Sequence, residues 1–406
     1  MEKSKRIALA RRMIELTELD QPDMGEESWE TDIGRFTDPV RFELEKQKLF
    51  LELPQLIALS ADIPEPGNYY ATEIAGRPIL LVRGKDGIAR AFLNACRHRG
   101  VQVAKGCGKA AGFSCPYHAW TYGLDGSLIS VPNRAAFEEK QLNGLVELPS
   151  AEKGGMILVH PQPDGHLDFD EFFGPMQAYL EDFKIEEYEL IHAYRAPARI
   201  NWKHAVDGGL ENYHTPFLHK DTFGRISRNS ALSRALLHIP FGSHHALVAP
   251  NDAILTLKDL PEDQWPHHCH FTSTNSVFPN TVIGGGFPLP VLFFQRSEPG
   301  DKVGECDYVF RLYGKKNASP EERAMQLEGV KLFMQVAVQE DMDVQVNAQI
   351  MMEKGIVPTV VFGRREINLT RMHKEYDAVI GHDAEKAVKE VHERMKNYKG
   401  NKMAAE

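Results

Sequence analysis

The stretch CRHRGVQVAKGCGKAAGFSCPYH, residues 96–118, decides how the N-terminal half of the chain is read. It opens on Cys96-Arg97-His98 and, after 16 intervening residues, closes on Cys115-Pro116-Tyr117-His118. Two thiolates and two imidazoles arriving as close pairs can hold zinc tetrahedrally. They can equally hold a [2Fe–2S] cluster with cysteines on one iron and histidines on the other, which raises its reduction potential above that of an all-thiolate cluster. Zinc sites usually pair like with like, whereas here each loop offers one Cys and one His, so that each loop reaches both irons. The spacing favours the cluster. Cys107 lies between the loops, fits no ligand slot and reads as a buried free thiol, while Cys269 and Cys306 carry no spacing signal.

The flanking sequence reads as β-structure. Runs at 69–74, 78–83 and 89–94 are separated by Ala75-Gly76 and Lys85-Asp86-Gly87 turns. The pattern continues through Gly123-Leu124-Asp125-Gly126 to an apolar run at 156–160. Residues 50–165 therefore read as an all-β module, preceded by a polar, helical segment over 1–49. Beyond 166 helical periodicity returns at 172–183, strand-like runs follow at 236–239, 246–248, 253–257, 271–277 and 291–295, and a long helix spans 320–351 with Pro320 after Ser319. A charged amphipathic helix is expected over 382–399.

Composition narrows the class. Over 406 residues, 42% are apolar and 26% charged, which excludes a disordered or fibrous chain. The net charge of −10 leaves no global basic footprint for nucleic acid. No window approaches ~18 uncharged apolar residues, so no membrane span is expected. Arg11 and Arg12 interrupt any signal-peptide core. Five cysteines, an odd number, argue for metal or redox use over a disulfide framework and point to the cytoplasm.

A second constellation follows. Asn201-Trp202-Lys203 precedes Asp207-Gly208-Gly209-Leu210-Glu211-Asn212-Tyr213-His214-Thr215-Pro216-Phe217-Leu218-His219. His214 and His219 can aim at one ion from a helix running into a loop. Gln339-Glu340-Asp341-Met342-Asp343, on the long helix, offers a carboxylate. Two His and one carboxylate form the facial triad of non-haem Fe(II) oxygenases, with positions left open. Phe217, Phe223, Phe287, Phe293, Phe294 and Met334 are candidate pocket walls, and Gly284-Gly285-Gly286 permits close backbone approach at the pocket mouth.

Taken together, C-x-H-x16-C-x2-H, then N-W-K…E-x2-H-x4-H, then a Q-E-D helix, resembles the α subunit of Rieske non-haem iron oxygenases, the ring-hydroxylating family, over roughly residues 35–370. The resemblance implies an α+β protein: an all-β Rieske [2Fe–2S] domain over 50–165 and a helix-grip catalytic domain over 166–406, an antiparallel sheet with helices, on which segment 1–49 packs. It implies that Cys96, His98, Cys115 and His118 hold the cluster and that His214, His219 and Asp341 hold mononuclear Fe(II). Asp341 is preferred to Asp343 because it stands eight residues before Gln349, as in the family's E-D…Q pattern. It also implies a homotrimer in which Glu211 bridges His118 of one subunit and His214 of its neighbour, with Asp207 anchoring a hydrogen bond near the iron.

Two departures bear on substrate. Glu211 stands where aromatic-ring dioxygenases commonly have Asp, and Glu there resembles the branch that oxidises quaternary amines such as choline, betaine and carnitine. That branch usually carries a Cys beside the tyrosine, which Glu211-Asn212-Tyr213-His214 lacks, and the family's upstream Glu-Asn or Asp-Asn is Asp207-Gly208-Gly209 here. No flavin or nicotinamide fingerprint appears, so electrons must come from a separate NAD(P)H-dependent reductase or ferredoxin. A basic patch of Arg97, Arg99, Lys105 and Lys109 could dock an acidic carrier. The expected activity is that of a terminal oxygenase acting with O₂ on an organic, aromatic or alicyclic small molecule. A Rieske electron-transfer protein without oxygenase activity is the rival class, and a zinc-stabilised binding protein a second.

Overall fold

Short apolar runs between glycine turns set up the N-terminal module, because a two-residue turn at positive φ matches the twist of paired strands. Ala75 and Gly76, at φ 47° and 81°, make such a turn between strands Asn68–Ile74 and Arg77–Arg83. In the computed structural model, which describes residues 2–227, 231–266, 270–286 and 289–381, these strands are the centre of a five-stranded antiparallel sheet. Its other members are Glu147–Leu148, Ala89–Leu93 and Cys107–Lys109. Two three-stranded sheets complete the module. Leu80, Val82, Phe92, Trp120 and Tyr122 fill the core beneath the Cys/His loops.

The second half is built on one seven-stranded antiparallel sheet. Its order is Tyr188–Ala198, Cys306–Lys315, Leu289–Pro299, Thr281–Gly286, Phe271–Val277, His244–Pro250, Leu237–Phe241. A long helix lies across the strand Leu289–Pro299. Its start is fixed by a capping box, Ser319 Oγ accepting from the Glu322 N–H at 3.2 Å and Glu322 accepting from the Ser319 N–H at 2.7 Å. The helix is α over Pro320–Met334, widens to a π-helical turn over Gln335–Asp341, and resumes as α over Met342–Glu353.

The first 49 residues wrap this half. Helix Lys3–Leu19 buries Met13, Ile14 and Leu16 in the core under the sheet edge, and Trp29–Asp32 pairs with Thr359–Phe362. Helix Pro39–Glu45 inserts Glu45, fully buried, between Trp202, Lys203 and Arg41. Burial draws the Lys203 ammonium down to about 8 against the opposing pull of Glu45. Asp377 on helix Ile367–Ile380 accepts from Arg35 at 2.8 Å and Arg41 at 2.6 Å. Glu45→Ala would strand the buried Lys203 ammonium and leave Arg41 with Asp377 alone, and a loss of about 3–5 kcal/mol of stability is expected in denaturant titration.

The two halves are also pinned to each other. Asp62 accepts from Arg311 Nε at 2.6 Å and from Tyr313 Oη at 2.9 Å, and the fully buried Arg296 donates to the Ile57 carbonyl at 3.1 Å.

Several expectations need correction. Residues 253–257 lie in a 3₁₀ helix, Asp252–Asp259, because Asn251 Oδ1 caps the Ala253 N–H at 3.0 Å. The helix expected over 172–183 is broken at Gly174-Pro175 into Phe169–Phe173 and Pro175–Leu180. Cys107 is exposed, since its strand is the sheet's edge. Cys306 is buried, and Cys269 and the expected helix over 382–399 lie outside the described residues.

Candidate metal centres

The two Cys/His loops share one backbone plan. Cys96 N–H donates to the Val101 carbonyl and Gly100 N–H returns to the Cys96 carbonyl, both at 2.8 Å. Cys115 N–H donates to Trp120 O at 2.8 Å and Ala119 N–H returns to Cys115 O at 2.9 Å. Each loop closes at a positive-φ residue four after its cysteine, Gly100 at 76° and Ala119 at 56°. Both thiols are buried beneath this plan, and the two imidazoles stand 4.6 Å apart between ring centroids, His98 stacked on Trp120. The Nδ1 atoms of His98 and His118 are buried and lack hydrogen-bond partners, which is how ligand atoms stand before a metal. No three of the four residues bring ligand atoms within 4.8 Å of one another, as a single tetrahedral ion requires. The set fits a two-iron cluster better than zinc. Burial raises the Cys96 thiol, but Tyr122 Oη at 3.2 Å, nearby backbone N–H groups and Cys115 outweigh it, favouring thiolate.

In the second half, His214 and His219 flank the short helix Thr215–Leu218, and Asp341 ends the π-helical turn. Their ligand atoms all lie within 4.8 Å of one another, with Asp341 Oδ1 at 3.5 Å from His214 Nε2 and 3.1 Å from His219 Nε2. Both imidazoles are held from behind. His214 Nδ1 donates to Glu211, which also accepts from the Tyr213 N–H, and His219 Nδ1 donates to Glu340 at 2.6 Å. Thr222 Oγ1 fixes Glu340 at 2.8 Å. With each Nδ1 carrying its proton, both Nε2 lone pairs face Asp341. Burial pulls both histidine pKa values down, but the carboxylates around them prevail and raise both, a negative field that suits a metal cation. Glu340 escapes the sequence reading; its adjacency to Asp341 is the only signal that could have found it.

Asp343 is exposed and belongs to no such group among the described residues. Asp207 lines a second cavity together with Glu211, His214 and Asp341. Both its oxygens accept from His373 Nε2 at 3.0 Å, and neither reaches His214, His219 or Asp341.

The His/His/Asp group sits at one end of a cavity whose walls include Phe223, Phe293, Phe310, Phe333, Leu332 and Val336. Of the expected wall residues, Phe223 and Phe293 line it. Phe217 is 68% exposed, Phe294 points to the opposite face of the sheet and is fully buried there, Met334 packs on the core, and Phe287 lies outside the described residues. The glycine run serves packing. A Cβ at Gly284 would sit 2.6 Å from the Phe293 ring, so glycine lets that ring lie across the neighbouring strand. Gly284→Ala is expected to displace Phe293 and destabilise the fold by about 1–3 kcal/mol, read by thermal unfolding.

Residues 54–149 match the model of the Rieske [2Fe–2S] domain, and residues 185–382 that of the ring-hydroxylating α subunit catalytic domain. The chain belongs to the Rieske ring-hydroxylating oxygenase family, whose two domains carry a [2Fe–2S] cluster and mononuclear iron. Among its relatives, the carnitine monooxygenase oxygenase subunit of Escherichia coli K12 is 34% identical over 194 residues, 47% of this chain and 52% of that one. The glycine betaine monooxygenase oxygenase subunit of Chromohalobacter salexigens is 30% identical over 195 residues, 47% of this chain and 43% of that one. The chain thus spans about half the length of the curated relatives it matches. Of solved structures, the quaternary ammonium Rieske monooxygenase CntA superposes with a TM-score of 0.75 at 19% identity, covering 87% of this chain and 96% of that one. Naphthalene 1,2-dioxygenase from Rhodococcus sp. does so with 0.75 at 19%, covering 92% and 98%. These two likenesses are of fold. No helix among the described residues is long and apolar enough to cross a membrane.

Proposed function

We propose that this chain is a terminal oxygenase component, which takes electrons from a separate NAD(P)H-dependent reductase or ferredoxin and uses O₂ to hydroxylate, oxidatively demethylate or cis-dihydroxylate an organic substrate. The observation that carries this is the convergence of His214, His219 and Asp341 at the end of an apolar cavity. In this reading those three hold Fe(II), and Cys96, His98, Cys115 and His118 hold the cluster. When bound, the cluster supplies single electrons and the Fe(II) the site at which O₂ is reduced beside substrate. Glu211 and Glu340 hold the Nδ1 protons and so fix which nitrogen of each imidazole faces the metal. Phe293, Phe310 and Phe333 exclude water from the reacting end of the substrate. Inter-subunit electron transfer is described for CntA, and a homotrimer in which Glu211 faces a neighbour's His118 is proposed here on the same footing.

The substrate we favour is an aromatic or alicyclic molecule. A quaternary amine is the second reading, favoured by the carnitine, betaine and choline monooxygenase relatives and by Glu211. The test is oxygen uptake with a reductase and a panel of aromatic, steroid-like and quaternary-amine compounds. Failure of every compound to stimulate uptake by fully metallated protein would return the chain to the electron-transfer class. Because the metal centres sit in separate modules, Cys115→Ser is expected to abolish the cluster's visible absorption while mononuclear iron, measured by metal analysis, stays near one per chain. Loss of both in a folded variant would contradict that modularity.

A further inference from the structure

The floor of the cavity is one face of the seven-stranded sheet, and its register shows how polarity is distributed. Leu247, Thr274, Gly284 and Phe293 stand in one row across four neighbouring strands. Thr272 lies two residues from Thr274 on the same strand, hence on the same face, opposite Ala249. Gln295, on the strand that packs under the metal-bearing helix, stands two strands from the threonines, roughly 10 Å at ordinary strand spacing. The cavity is thus lined by the carboxylates Glu211 and Asp341, by phenylalanines, and by Thr272 and Thr274 framed by Leu247 and Ala249.

The intervening residues Ser273 and Asn275 turn to the other face and are consumed in a buried network, Tyr179 Oη to Ser273 Oγ at 2.8 Å and Ser273 Oγ to Asn275 Oδ1 at 2.7 Å. Thr272 and Thr274, half-buried in the cavity wall, have no hydrogen bond to another side chain among the described residues. Nor does any lysine or arginine line the cavity among those residues. A carboxylate set against Thr272 and Thr274 would be desolvated with no lysine or arginine beside it.

We propose that the substrate carries no carboxylate and presents a hydroxyl or carbonyl group to Thr272 and Thr274 in the wall of the cavity. This rests on the oxygenase reading for the purpose of the site, but its test does not need turnover. Calorimetric binding to the metallated full chain would compare β-tetralone, its hydrocarbon tetralin, the corresponding tetralin carboxylate, and L-carnitine. β-Tetralone is expected to bind most tightly. Thr272→Val and Thr274→Val, near-isosteric changes, are each expected to weaken β-tetralone binding about three- to tenfold while leaving tetralin unchanged. The double Thr→Ser variant, which keeps both hydroxyls, is expected to bind the ketone like the parent, separating hydrogen bonding from wall shape. Tighter binding of the carboxylate or of L-carnitine, no binding of either neutral probe, or equal losses for ketone and hydrocarbon would each overturn the inference. Failure of the oxygenase reading would show separately, as absent oxygen uptake despite threonine-dependent binding.

Discussion

His214→Ala and Asp341→Ala are each expected to reduce product formation below detection while the visible absorption of the [2Fe–2S] cluster is unchanged. Each removes one of three converging ligand atoms from an open-sided site, and two remaining ligands leave the metal weakly held. The cluster loops lie in a different sheet system with their own core, so their spectrum reports that the cluster module is intact, and circular dichroism reports the rest. Asp343→Ala is the matched control. Its side chain is exposed two residues beyond the π-helical turn, and iron content near that of the parent is expected. Iron loss in Asp343→Ala with retention in Asp341→Ala would reverse the ligand assignment.

Glu211→Gln is expected to retain both metals and to slow electron transfer between them by about 10- to 100-fold, the usual cost of disturbing a group that orients a metal ligand. Neither ligand set is touched. Glu211 accepts from His214 Nδ1 and from the Tyr213 N–H, and as a carboxylate it keeps lone pairs for a second imidazole N–H from a neighbouring subunit. An amide keeps the shape but loses the charge and half the acceptor capacity. Rapid mixing of pre-reduced protein with O₂ and substrate isolates this step from reduction of the cluster by its carrier. Reoxidation at the parent rate, with both metals present, would leave Glu211 as a positioning group for His214 only.

Much of the site was legible because metal ligation demands particular atoms at short chain separations. Cys96-x-His98, Cys115-x2-His118 and His214-x4-His219 are local statements, and a local pattern survives in one dimension. The strands at 69–74, 78–83 and 89–94 were legible for a similar reason, since their turns are marked by residues suited to positive φ. What escaped depends on partners distant in sequence. Glu340 matters because His219, 121 positions away, donates to it. The partner of Asp207, His373, likewise lies 166 positions downstream. Strand Cys306–Lys315 was missed because Asp307, Arg311 and Tyr313 break the apolar pattern. They are charged or polar for the sake of Arg195 and Asp62, contacts that a window of ten residues does not contain. Phe294 was misplaced among the cavity walls because adjacent strand residues face opposite ways, and only the observed register says which of Phe293 and Phe294 looks inward.

The widened turn at Gln335–Asp341 has an evolutionary reading. A π-helical turn accommodates one more residue than the α-helix on either side of it, so a residue inserted into a helix can be taken up there while the flanking helices keep their line. Deleting one residue between Val336 and Gln339 would let the α-helix close with Met342–Glu353 still in line with Pro320–Met334. Glu340 and Asp341 close that widened turn, and both are directed at His219 from it. The second coordination centre of this scaffold therefore takes one of its three ligands from a local widening in an otherwise regular helix.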